Sequence, residues 1–196
     1  MIRCKMGMVG IAALLVMGQV SWGHEIQYQA ILSSESITTP SPGTGTALVT
    51  IDLDTSMMRV QADFTGLNGT TTASHIHCCT VSAGTGNAGV ATPVPSFPGF
   101  PAGVTSGSYD QTFDLTDPAS FNPAFVTANG GTTGSAMNVL LNGLDTSTAY
   151  LNIHTSTAPA GEIRGYFSPV PEPATAGLAA IVFLAVIGQT RVRRGC

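Results

Sequence analysis

Three successive segments alternate apolar and polar side chains at a period of two. Ile26, Tyr28, Ala30 and Leu32 are separated by Gln27, Gln29 and Ile31, the stretch from Ala47 to Leu53 turns Thr50 and Asp52 outward, and Met58, Val60, Ala62 and Phe64 repeat the pattern. A period of two sorts residues onto the two faces of a strand, and a helix cannot do this. Pro- and Gly-bearing stretches, Thr39 to Gly45 and Gly66 to Gly69, bound the segments. Such punctuation predicts turns, and so a meander of three antiparallel strands buried on one face.

The rest of the chain extends this plan. Ser74 to Thr80 reads as a short strand, Val104 to Leu115 as another, and Ala149 to His154 and Gly161 to Phe167 as the last two. Ala83 to Gly107 is long and rich in Gly and Pro, with Phe97 and Phe100 inside it. A loop of that length is functional or packed by its own side chains, and the part from Pro93 to Pro101 is an expected contact surface. Asp117 and Pro118 form a helix start, with Asp117 as cap and Pro118 in the first helical position. Phe121, Phe125 and Val126 follow at helical spacing, Asn129-Gly130-Gly131 ends the helix, and Ser135 to Leu141 suits a second short helix or a strand. About seven or eight strands with one short helical excursion describe an all-β chain, an antiparallel β-sandwich or barrel-like single domain.

The ends have a different composition. Arg3 and Lys5 precede an apolar run from Met6 to Val20, and Ser21-Trp22-Gly23 follows. A basic start, an apolar middle and small residues at the end predict a secretory signal over residues 1–23, removed by signal peptidase. At the other end, Pro171-Glu172-Pro173 precedes an apolar run from Ala174 to Gly188 and the basic residues Arg191, Arg193 and Arg194. The apolar run is just long enough for a transmembrane helix, with the arginines holding its end on the cytoplasmic side. The expected organisation is a signal over 1–23, a β domain over 24–168 and a sorting tail over 169–196. Charge supports the division. Between His24 and Ser168 the cations are Arg59 and Arg164, against ten acids, so that stretch carries about −8. A lysine-free acidic domain repels phosphate backbones, which excludes nucleic acid as a partner class.

The C-terminal arrangement resembles the PEP-CTERM sorting signal of exopolysaccharide-producing Gram-negative bacteria. The resemblance covers the last 27 or so residues and holds Pro-Glu-Pro, apolar run and basic end in order. It implies exosortase as a partner, transient anchoring in the inner membrane, and a final home at the cell surface or in the extracellular matrix. Exopolysaccharide or a surface protein is then the expected binding partner.

Two elements of the middle domain carry a second resemblance. Ser74-His75-Ile76-His77 and Tyr150-Leu151-Asn152-Ile153-His154-Thr155, the latter running on to Pro159-Ala160-Gly161-Glu162-Ile163-Arg164-Gly165, resemble the chordin-type, or CHRD, domain. Ser74 stands where alanine is common, and Ala160 replaces the first glycine of the turn. The resemblance implies an all-β domain of secreted and surface proteins, a fold and a location and not a reaction, and Asn152, Glu162, Arg164 and Gly165 belong to its structural motif; the sorting tail, the acidic domain and the absence of a catalytic set predict a non-catalytic binding or structural role.

On their own chemistry, His75 and His77 are two apart on a strand and share a face, as do Asn152 and His154 on another. If the strands are neighbours, three imidazoles converge. They then serve either as zinc or copper ligands, with the chain a metalloprotein of possible redox character, or as buried hydrogen-bonding groups that fix loops. Cys78 and Cys79 follow His77 directly. They close a vicinal disulfide, stay as free buried thiols, or add thiolates to the metal. Glu162 and Arg164 share a face and read as a structural ion pair or a cross-strand bridge, with a catalytic carboxylate as the lesser alternative. No Ser/His/Asp order, phosphate loop or dinucleotide fingerprint is present, so the sequence points away from an enzyme.

Overall fold

The computed structural model describes residues 25–34 and 40–171. The signal over 1–23 and the sorting tail from Glu172 onward, including Pro173, Arg191, Arg193 and Arg194, lie outside the described residues. No helix among the described residues is long and apolar enough to cross a membrane.

Among the described residues, eight strands form two antiparallel sheets. The expected meander is present as β1 (Glu25–Leu32), β2 (Thr44–Asp52) and β3 (Met57–Thr65). After β4 (Thr71–His77) come β5 (Gly107–Asp114), β6 (Tyr150–Thr155), β7 (Ile163–Tyr166) and β8 (Ser168–Pro169). The large sheet has the order β5-β3-β2-β1-β8 and the small one β4-β6-β7. Alternation decides which face is buried. Tyr28, Ala30 and Leu32 of β1 face Ala47, Val49 and Ile51 of β2 and Met58, Val60, Ala62 and Phe64 of β3 in one core, which Ile76, Leu151, Ile153 and Ile163 of the small sheet close. Burying side chains of this kind contributes roughly 1.5–3 kcal/mol each and is the main stabilising term.

The sheets meet at a corner where Ser33 and Arg164 exchange backbone hydrogen bonds at 3.0 Å in both directions. Gly165 sits at this corner, where an added Cβ would collide with the carbonyl oxygen of Ile31, a backbone atom with no side-chain freedom to yield. Gly165→Ala is therefore expected to lower stability by about 1–3 kcal/mol, read as a shift of the urea midpoint at unchanged slope. A midpoint equal to that of the parent would show that the corner is looser than described. β8 pairs with β1 at Tyr28 and Gln29, and Val170 donates to the Gln27 carbonyl at 2.8 Å. This pairing runs across the expected boundary between 168 and 169.

The helical excursion is larger than the sequence suggests. It has three pieces: a 3-10 turn Pro118–Ser120, α1 (Pro123–Ala128) and α2 (Thr133–Asp145). Asp117 caps the first, as expected, through its side chain to the Ala119 amide. Pro123 then restarts the helix with Asn122 as its cap, so Phe121 and Phe125 belong to different pieces. The stretch from Ser135 to Leu141 is helical, inside the 13 residues of α2, and begins with a Thr132/Ser135 capping box. Of the two readings of the Gly/Pro loop, the structure supports the one in which its own side chains pack it. Phe97 and Phe100 are buried, Phe97 against Tyr109 and Phe113 and Phe100 stacked on Phe64 at 5.6 Å. The aromatic side chains thus anchor the loop in the core and are not presented to a partner.

Candidate metal centre

The loop from 78 to 106 runs along the free edge of β4. Ala91 donates to the Ile76 carbonyl, Phe97 to that of Ser74 and Gly103 to that of Thr71. This seals the outer face of the small sheet, where period two places the odd residues of β4 and the even residues of β6. His75 lies opposite Asn152, His77 opposite Tyr150, and His154 opposite Ala73. His154 therefore lies diagonal to His75, within reach of an imidazole. The structure brings His75, His77 and His154 together, with one ring nitrogen from each within 4.8 Å of the others. His75 and His77 are buried.

The hydrogen bonds assign the protons. His75 Nε2 lies 2.6 Å from the Pro95 carbonyl oxygen, His77 Nδ1 2.9 Å from that of Ala88, and His154 Nδ1 2.9 Å from that of Pro159. A carbonyl only accepts, so each of these nitrogens carries the ring's proton and donates. In the neutral ring the other nitrogen then holds a lone pair. Those nitrogens are His75 Nδ1, His77 Nε2 and His154 Nε2. His75 Nδ1 and His154 Nε2 face each other at 3.3 Å, two lone pairs with no proton of their own between them. His77 Nε2 is buried with no hydrogen-bond partner. An added proton is opposed by burial, which pushes His75 down to about 4 against the lift from the Pro95 carbonyl, and lowers His77 as well. Three ring nitrogens, each ring turned by a backbone carbonyl behind it, converge in a geometry that could hold a metal ion.

The hydrogen-bonding reading accounts for one nitrogen of each ring. Of the other three, His75 Nδ1 and His154 Nε2 lie against each other at 3.3 Å and His77 Nε2 has no hydrogen-bond partner. Tyr150 supports the centre from the side, its ring stacked on His77 at 4.9 Å and 8°. Sequence reasoning found the three histidines and missed the carbonyls of Ala88, Pro95 and Pro159. Any residue supplies a carbonyl, so no residue type marks these positions.

The cysteines stand apart from the three nitrogens. Cys78 and Cys79 are joined as a vicinal disulfide. Their sulfurs lie near the Val139 carbonyl, at 3.8 and 3.6 Å, and beside Gly143 of α2. Of the roles open to them, the structure shows the disulfide. The expected Glu162–Arg164 partnership is replaced by separate partners. Glu162 accepts from Ser41, Thr155 and the amides of Asn68 and Gly69. Arg164 donates to Asn87 Oδ1 at 2.7 Å and lies over the rings of Tyr150 and Tyr166. Asn152, buried between them, donates through Nδ2 to the Ala160 carbonyl at 3.0 Å, and Gly161 leaves room for its amide.

Two antiparallel sheets with a short helical excursion make this an all-β domain. The chain belongs to the CHRD family: the model described as "CHRD domain" matches residues 28–167, from β1 to just past β7. No curated protein and no solved structure matches it.

Proposed function

We propose that this chain is an exported cell-surface or matrix protein whose CHRD domain is a non-catalytic binding module holding a zinc or copper ion on His75, His77 and His154. The observation that carries the metal reading is the convergence of three imidazole lone pairs whose ring protons are all committed to backbone carbonyls. Neutral imidazoles suit zinc and copper over magnesium or calcium, which prefer oxygen. Export is supported by the apolar run after Arg3 and Lys5, and exosortase sorting by the Pro171-Glu172-Pro173 tail with its arginines. The non-catalytic role is supported by the family and by the engagement of Glu162, the carboxylate closest in sequence to the histidines, in hydrogen bonds of its own.

Elemental analysis of the full chain recovered from the surface fraction of an exporting host tests this. About one equivalent of zinc or copper per chain is expected. Less than a tenth of an equivalent, even after loading with either ion and desalting, would overturn the metal reading.

A further inference from the structure

The disulfide begins where β4 ends, for Cys78 and Cys79 directly follow His77, the last residue of that strand. One short ladder carries both features. His77 pairs with Val90, the Cys78 amide donates to the Gly89 carbonyl at 3.0 Å, and the Ala88 carbonyl accepts from His77 Nδ1 at 2.9 Å. A displacement of Cys78 therefore acts on the backbone and the carbonyl that aim His77, the ring whose Nε2 is buried with no hydrogen-bond partner.

The other side of the disulfide is closed by α2. Both sulfurs lie against Gly143, where an added Cβ would overlap the two of them, and the Val139 carbonyl is within 3.8 Å of each. Ala136, Leu140 and Leu144 fix that helix in the core. Cys78 is buried and Cys79 is exposed. Bonded sulfurs sit about 2 Å apart, whereas unbonded heavy atoms need roughly 3.5–4 Å, so two thiols require about 1.5–2 Å more than the disulfide. Gly143 and the Val139 carbonyl bar Cys78 from taking that space inward. The backbone of 78–79 has to move instead, and it starts at His77.

Building on the proposed metal centre, we infer that Cys78–Cys79 is a thiol-exchange site that governs it: oxidised, the pair holds His77 on the ion, and reduced, it lets the imidazole go. The reductant is by class a small dithiol. One of its thiols attacks Sγ of the exposed Cys79, a mixed disulfide forms, the Cys78–Cys79 bond breaks, and Cys78 leaves and takes the proton. The second thiol then closes the reductant's own disulfide and frees Cys79 as a thiol. Two electrons and two protons pass to the protein. Oxidising surroundings keep the pair closed, and a local supply of dithiol releases the metal.

The test uses the full chain, with zinc affinity measured by competition against a chromogenic chelator before and after reduction by a water-soluble phosphine, which leaves as its oxide. Reduction should weaken zinc binding roughly tenfold, the usual cost of losing the group that orients a ligand. Linkage makes the effect reciprocal, so saturating zinc should lower the reduction potential of the pair by about 30 mV, the two-electron equivalent of tenfold. The double variant Cys78→Ser, Cys79→Ser should bind zinc as weakly as the reduced parent and ignore the phosphine. Equal zinc affinity in the two states, or tighter binding after reduction, would overturn the switch and leave the metal centre standing. A reduced chain that has lost its urea transition would overturn it too, because the disulfide would then be a staple of the whole fold. An oxidised chain that refuses zinc overturns this inference, and the metal centre falls with it if copper is refused as well.

Discussion

The double variant His77→Ala, His154→Ala should lose metal binding entirely, from about one equivalent per chain to less than a tenth, which is the largest effect expected of any change in this domain. Each ring contributes one lone pair, and removing two leaves His75 alone, which cannot hold an ion against chelators or water. The loss should also appear in stability. An ion that binds only the folded chain adds about 2.7 kcal/mol when present at a hundred times its dissociation constant. For a domain of this size that is roughly 5–10 °C in melting temperature, so added zinc should raise the midpoint of the parent and leave that of the double variant unmoved. A double variant that keeps a full equivalent of metal, or gains as much from zinc as the parent, would sink the assignment. The metal-free parent has its own signature. Burial lowers His75 and His77 from the ordinary value of 6.5, His75 to about 4. Between those two values the unfolded chain binds more protons than the folded one, so stability rises with pH there. It is fully present above pH 6.5 and declines as the pH falls toward about 4. His75→Phe should flatten that decline in urea melts at stepped pH.

Much of this was readable from alternation. Period two marked the strands of the meander and set His75 and His77 on one face, because a strand offers a side chain only two directions. That same rule placed His154 and Asn152 together. Alternation does not say which strands are neighbours, so the convergence of the two histidine elements depended on β4 pairing with β6, a long-range choice made by the whole core. Local signals failed where tertiary packing decided. Phe97 and Phe100 sit in a Gly/Pro loop whose local signals left a contact surface and self-packing both open, and the core took both rings. Ser135 to Leu141 has no strong local preference, and α2 forms there because Ala136, Leu140 and Leu144 recur at helical spacing on a buried side. Glu162 and Arg164 look like a pair on paper. The strand directs them instead to separate partners, and three of the donors that claim Glu162, from Ser41, Asn68 and Gly69, come from residues more than 90 positions away.

Glu162→Ala should be the most destabilising single substitution outside the apolar core, by about 3–5 kcal/mol, the usual cost of breaking a buried charged network from one side. The residue is 5% exposed and its carboxylate joins three segments. Oε1 accepts from Ser41 Oγ and the Asn68 amide, both at 2.5 Å, and Oε2 from the Gly69 amide at 3.0 Å and Thr155 Oγ1 at 2.6 Å. Alanine would strand two backbone amides and two hydroxyls, and an amide left buried without an acceptor costs about 1–3 kcal/mol. Glu162→Gln keeps the shape but turns an NH₂ toward donors, so it should fall between alanine and the parent. Acid should narrow the gap. Burial alone would raise this carboxyl, but the hydrogen bonds from Ser41, Thr155, Asn68 and Gly69 outweigh it and hold the group below 4.5. A carboxyl depressed on folding stabilises the chain at pH above its unfolded value and loses that contribution as pH falls through its folded one. The difference between parent and Glu162→Ala should therefore be constant from pH 7 to about 5 and shrink below 4.5, followed by urea midpoints at each pH. A difference under about 1 kcal/mol at pH 7 would mean that water replaces the carboxylate without loss, and would reopen the possibility that Glu162 is kept for chemistry and not for the fold.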